Sequence, residues 1–148
     1  MKLEIKPKIG LGELNFGDVP SKVTQVLGPP QDAEEISSDD ILKTTIMSYD
    51  VGIAVFLEGL IEPVVSHFDL DNENATLFGN KIFNMSEDEV LQLMLKNGYK
   101  ELEKDTEEWG ETRLSFEDAY IDFYFKKDRL SGVSWGILIN EDGSVDRS

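Results

Sequence analysis

Apolar residues recur along this chain at two spacings, and the change from one to the other marks its elements. Val90, Leu93 and Met94 stand three and four positions apart, as on one face of a helix. Ser86 precedes that face with Glu89 three residues on, the spacing of a capping box. Asn97-Gly98 closes it, because glycine tolerates the left-handed conformation past a helix end. Val23, Val26 and Leu27 make a second such face, with Pro20 in its first turn and Gly28-Pro29-Pro30 as its stop. Elsewhere the period is two. Ile121, Phe123 and Phe125 alternate with Asp122 and Tyr124, which predicts strands over 112–117, 120–126 and 130–140 with Lys127-Asp128 as a hairpin turn. Residues 43–49, 52–57 and 61–71 read the same way, with Glu58-Gly59 at the turn. Leu3 and Ile5 alternate with charged residues and predict an N-terminal edge strand, while the polar tail from Asn140 is expected to fray.

The two sets of elements match each other in sequence. At one constant offset Gly12 pairs with Gly79, Phe16 with Phe83, Val23 with Val90, Gln25 with Gln92 and Thr45 with Thr112. After one inserted residue, Ile53 pairs with Ile121, Val65-Ser66 with Val133-Ser134, and Leu70 with Leu138. The expectation is one domain over residues 1–148, built from two repeats at about 10–73 and 77–141. The fold class expected is α+β: two tandem helix-plus-antiparallel-sheet units that can share one continuous sheet, helices on one face and the other face open.

The string Phe16-Gly17 through Val23 to Leu27-Gly28-Pro29, followed by a strand hairpin, resembles the beta-lactamase-inhibitor-protein-like and SmpA/OmlA-like group. The second copy, Phe83-Asn84-Met85-Ser86-Glu87-Asp88-Glu89-Val90, resembles the start of the same pattern. The resemblance implies the tandem fold. It also implies a binding role, since the beta-lactamase inhibitor holds its enzyme with the open sheet face. A small acidic cysteine-free chain is also similar to the immunity proteins that neutralise bacterial toxins.

Composition narrows the function. The 148 residues include 14 Lys or Arg against 30 Asp or Glu, a formal net charge of −16. Nucleic acid is excluded as a partner, because phosphate binding draws on Lys and Arg. With no Cys, disulfide scaffolds, thiolate metal sites and cysteine nucleophiles are excluded too. No run has the roughly 18 apolar residues of a membrane helix, and Lys2, Lys6 and Lys8 are followed by no apolar h-region. A cytoplasmic location without membrane contact is expected.

The catalytic motifs are weak. Gly132-Val133-Ser134-Trp135-Gly136 fits G-x-S-x-G, but a nucleophile elbow needs a strand, a sharp turn, a helix and then a later histidine. Here the pattern lies inside a strand, and the one histidine, His67, lies upstream. Ser66, His67 and Asp69 compress triad chemistry into four positions, but neighbours on a strand point to opposite faces. His67 aligns with Trp135 in the repeat and reads as a surface or packing residue. Asp69, Asp71, Glu73 and Asn74 resemble a calcium loop without its glycine and final glutamate. No enzyme activity, metal or cofactor is expected.

The acids carry more information. Asp32, Glu34, Glu35, Asp39 and Asp40 fill the first helix-to-strand loop; Glu101, Glu103, Asp105, Glu107, Glu108 and Glu111 fill the second. They serve either solubility or the docking of a basic partner, whose approach they would steer. Trp109 inside the second loop, and Tyr120, Asp122 and Tyr124 on one strand face, would supply anchors. Trp135 fits either an anchor or the core. The function expected is a non-catalytic immunity protein or inhibitor binding a basic toxin or enzyme. The alternative is a regulatory or scaffold module binding a cellular protein or small ligand on the open sheet face.

Overall fold

A computed structural model of the chain describes residues 1–37, 43–59, 62–107 and 110–146. Its centre is an antiparallel sheet of eight strands. β1 (Glu4–Lys6), β2 (Gly10–Leu11) and β3 (Leu14–Asn15) come first in the chain, then α1 (Pro20–Leu27). A meander follows: β4 (Asp32–Ser37), β5 (Lys43–Tyr49), β6 (Ile53–Gly59) and β7 (Val64–Leu70). After β8 (Thr76–Leu77), β9 (Asn80–Lys81) and α2 (Glu87–Lys96) comes a second meander: β10 (Leu102–Thr106), β11 (Glu111–Phe116), β12 (Ile121–Lys126) and β13 (Arg129–Gly136). β7 pairs with β13, so the two meanders merge in the order β10-β11-β12-β13-β7-β6-β5-β4. The short strands form a separate five-stranded sheet, β3-β2-β1-β8-β9.

This corrects the expected fold class. Strands make up 49% of the described residues and helices 13%, so the molecule is mostly β with large antiparallel sheets rather than two tandem helix-plus-sheet repeats. Two features account for the difference. The strand pairs β2–β3 and β8–β9 are two residues long each, too short to show a period. Parts of the acidic stretches read as loops are strands: β4, with Asp32, Glu34 and Glu35, and β10, with Glu103 and Asp105, sit at opposite edges of the large sheet. β1 is also no edge strand, since it lies between β2 and β8 in the small sheet. The tail from Asn140 turns back, and Val145-Asp146 pairs with Leu138-Ile139.

One face of the large sheet carries the core. Val55, Leu57, Phe68, Phe116, Phe123, Phe125 and Trp135 are buried on it, against Ile5, Leu11 and Leu77 of the small sheet and Val23, Val90 and Met94 of the helices. Ser86 caps α2 as a capping box, accepting from the Glu89 amide at 3.3 Å while Glu89 Oε1 accepts from the Ser86 amide at 3.2 Å. The β12–β13 hairpin turns at Lys127-Asp128, both with positive φ, the geometry that matches strand twist. Glu58-Gly59 is no turn; β6 runs through it. The expected alignment of His67 with Trp135 also fails: Trp135 opposes Phe68, while His67 opposes Gly136 on the other face.

Trp135 ties the layers. Its ring lies 5.3 Å from that of Phe68, and its indole N–H donates to the buried Gly10 carbonyl at 3.1 Å. Trp135→Phe leaves that carbonyl without its donor and should cost about 1–3 kcal/mol in denaturant unfolding; a change below about 0.5 kcal/mol would show that the tie contributes little.

Candidate functional site

The other face of the eight-stranded sheet has no helix over it among the described residues, and its side chains are polar and aromatic. Directly opposed residues of an antiparallel pair share a face, so the register assembles them into rows. One row starts at the β10 edge with Glu103, Ser115 and Asp122. It continues through Ser134, Asp69, Ala54 and Ser48 to Asp32 on β4. A second row, two residues along, runs Gly136, His67, Phe56, Ile46 and Glu34. Tyr120 stands at its end, its carbonyl accepting from the Gly136 amide at 3.1 Å. The rows line a hollow. Its volume is about 900 Å³, with Glu101 and Glu103 on one wall, Phe56 and Glu58 on the other, and Asp122, Ser134 and His67 between. A smaller hollow of about 480 Å³ continues past Ser134 to Asp69, Tyr124 and Ser48.

Three groups meet where the meanders join. His67 Nε2 lies 2.6 Å from Ser134 Oγ and 3.0 Å from Asp69 Oδ1. Both contacts fall on the same ring nitrogen. A catalytic triad needs its acid on the far nitrogen, leaving the near one to take the serine proton. Here Asp69 and Ser134 both meet Nε2, and the Asp69 carboxylate accepts hydrogen bonds from His67 and Ser134. Burial raises the Asp69 pKa, but the hydrogen bonds from His67 and Ser134 and the imidazole charge outweigh it and hold the carboxyl below its usual range. The cluster therefore stabilises a carboxylate. Edge-on contact with Phe56, ring centroids 5.1 Å apart, also seats the imidazole. Gly136 makes the room: a Cβ there would lie 2.7 Å from His67 Nδ1 and 2.8 Å from the Ser66 carbonyl.

The sequence missed this cluster because Ser134 and His67 are distant in the chain, and the serine weighed against His67 was its neighbour. Ser66 is buried in a bulge of β7 and donates to the Phe56 carbonyl at 3.3 Å. Next along the face, Ser115 donates to Asp122, and Arg113 is engaged by Asp105. Burial, followed by the Asp122 charge, raises the Tyr124 phenol above its ordinary pKa and keeps it neutral.

The expected partner residues are scattered. Asp122 and Tyr124 lie on the open face, as does Glu34. Tyr120 is 40% exposed at a positive φ, with the Lys8 ammonium 5.7 Å from its ring centre. Glu35 points to the opposite face, being opposed to Thr45. Glu107 and Glu111 border the β10–β11 connection, where the Glu107 amide donates to the Glu111 carbonyl. Trp135 is corrected: at 0% exposure it belongs to the core and offers no surface for docking. Asp39, Asp40, Glu108 and Trp109 lie outside the described residues. The two acidic segments do not combine as paired loops either. The strands they contribute, β4 and β10, are the two edges, seven strand spacings or about 34 Å apart along the sheet. Charge on such strands also blocks edge-to-edge pairing between molecules.

No family model matches the chain, and no curated protein matches it. One solved structure is similar, an extracellular protein containing a SCP domain from Bacillus anthracis str. Ames. It is 14% identical with a TM-score of 0.49, over 89% of this chain and 47% of that one. The chain thus spans about half that protein's length, and so distant a likeness transfers no function. No helix among the described residues is long and apolar enough to cross a membrane.

Two predictions follow from the cluster. The folded Asp69 carboxyl titrates below its unfolded value of about 4, so it adds stability above that value and loses it as pH falls through the folded one. Asp69→Asn should flatten the loss of stability below about pH 4 in denaturant midpoints; an unchanged acid limb would remove Asp69 from the account. Gly136→Ala should displace the imidazole and move the Asp69 carboxyl back toward its usual range in an NMR titration. A resonance that titrates as before would mean that Gly136 does not set the ring position.

Proposed function

We propose that this chain is a non-catalytic binding protein that occludes a basic protein partner, in the manner of an immunity protein or inhibitor, and that the open sheet face does the binding. One observation carries the reading. The uncovered hollow is walled by Glu58, Glu101, Glu103 and Glu117 with Asp122 on its floor, while its one Arg, Arg113, is already engaged by Asp105. A concave surface of one charge sign speeds the approach of an oppositely charged partner and fixes its orientation. Asp69 and Ser134 share one imidazole nitrogen, which is not the arrangement of a catalytic triad and so supports the binding reading.

A second reading has its own support. A hollow of about 900 Å³ is of the size that holds a small molecule, which suits a regulatory module with a small ligand. Salt dependence separates the two.

The test uses Glu58 and Glu103, which stand on opposite walls of the hollow and outside the hydrophobic core. Protein carrying Glu58→Lys and Glu103→Lys together is compared with the unaltered chain as bait in a cell lysate, eluted by a salt gradient. The expected outcome is a basic protein held at low salt by the unaltered chain, released as salt rises, and absent from the folded double variant. Equal retention on both baits would overturn the proposal; retention insensitive to salt would favour the regulatory module.

A further inference from the structure

The two rows on the open face run side by side across the strands, and their spacings specify more than charge. In the acidic row Glu103, Asp122 and Asp69 sit on alternate strands. Neighbouring strands are about 4.8 Å apart, so these carboxylates recur roughly every 9.6 Å. The parallel row carries the aromatic rings of His67 and Phe56, with Tyr120 beyond its Gly136 end at the rim of the hollow. An α-helix returns to the same side about every 5.4 Å, which does not match this spacing. A β-strand places residues three apart on opposite sides. A polyproline II segment has three residues per turn and rises about 3.1 Å per residue, so every third side chain returns to the same side after about 9.3 Å. It has no internal hydrogen bonds to break when it bends, and aromatic-lined grooves suit it.

We propose that the open face docks an extended, proline-containing basic segment of a protein partner, with Lys or Arg at every third position on the Glu103–Asp122–Asp69 row and apolar residues on the Tyr120–His67–Phe56 row. The inference rests on the reading of this face as a binding surface for a basic partner. Charge complementarity supplies the cations, the register supplies their spacing, and the aromatic row supplies the second contact that a charge patch alone lacks. Asp69 takes the weakest of the cations, because His67 and Ser134 already donate to it.

The test is fluorescence anisotropy with a labelled Lys-Pro-Pro repeat peptide and the whole chain. A peptide of the same composition with its lysines grouped together is the comparison. The spaced peptide should bind at least about tenfold tighter, a difference of about 1.4 kcal/mol. Asp122→Asn and Glu103→Gln should each weaken it several-fold and lessen its salt dependence. Phe56→Ala should weaken it without changing the salt dependence. Glu35→Gln, on the opposite face, should leave it unchanged. Equal affinity for the grouped peptide overturns the proposal, as does an equal loss in Glu35→Gln, which would mean that net charge alone is read. Absence of binding by either peptide overturns it as well. The basic-partner reading is judged separately: if partner capture still collapses with the Glu58/Glu103 charge reversals while the spacing is ignored, only the extended-segment inference falls.

Discussion

The pairing of β7 with β13 is the constraint on which the rest depends. Each four-strand meander is built from local hairpins, but the two join only through this one antiparallel seam. Phe68 and Trp135 oppose each other across it on the core side, and Phe16 packs on Phe68 at 5.4 Å. The Trp135 indole then reaches through the core to the backbone of Gly10 in the small sheet. A buried aromatic contributes large apolar area, and its N–H needs a partner once buried. That one side chain therefore fixes the seam register and the position of the second layer together.

The same register decides what the open face can be. With Phe68 and Trp135 inward, their neighbours His67 and Gly136 turn outward as an opposed pair, as do Asp69 and Ser134. The glycine leaves space that the imidazole fills, and the imidazole and hydroxyl converge on one carboxylate. The result is a polar centre whose hydrogen bonds are closed on themselves. It shapes the floor of the hollow and holds a negative charge there at neutral pH. Around it the walls carry carboxylates from β6 and β10, which no local sequence window brings together.

Much of the local structure was legible in the residues. The capping box at Ser86 and Glu89, the prolines and glycines bounding α1, and the Lys127-Asp128 turn each depend on neighbours within a few positions. The period-two alternation of Ile121, Phe123 and Phe125 separated the two faces of β12. Elsewhere local signals misled. Acid-rich stretches look like loops, yet an outer strand tolerates charge because its sides meet water, and β4 and β10 are such strands. Glu58-Gly59 looks like a turn, yet β6 continues through it, since Gly59 permits a backbone approach that a Cβ would block at 2.2 Å from the Glu62 carbonyl. Trp135 read equally as anchor or core, because its alternation alone does not say which face is covered.

What the sequence determined by itself was therefore local and one-sided: where two helices begin and end, which residues of a strand share a face, and that the surface is strongly acidic. These follow from backbone periodicity and side-chain chemistry, which act over a few residues. Only the tertiary structure decided how strands far apart in the chain are aligned. Aligning the repeats made His67 equivalent to Trp135, whereas the sheet turns them to opposite faces, His67 beside Gly136 on the open one and Trp135 beside Phe68 in the core. A slip of one residue at that seam would exchange the faces of every side chain on the strand. Core packing of Trp135 selects one register, and with it the rows of acids and aromatics that the open face presents.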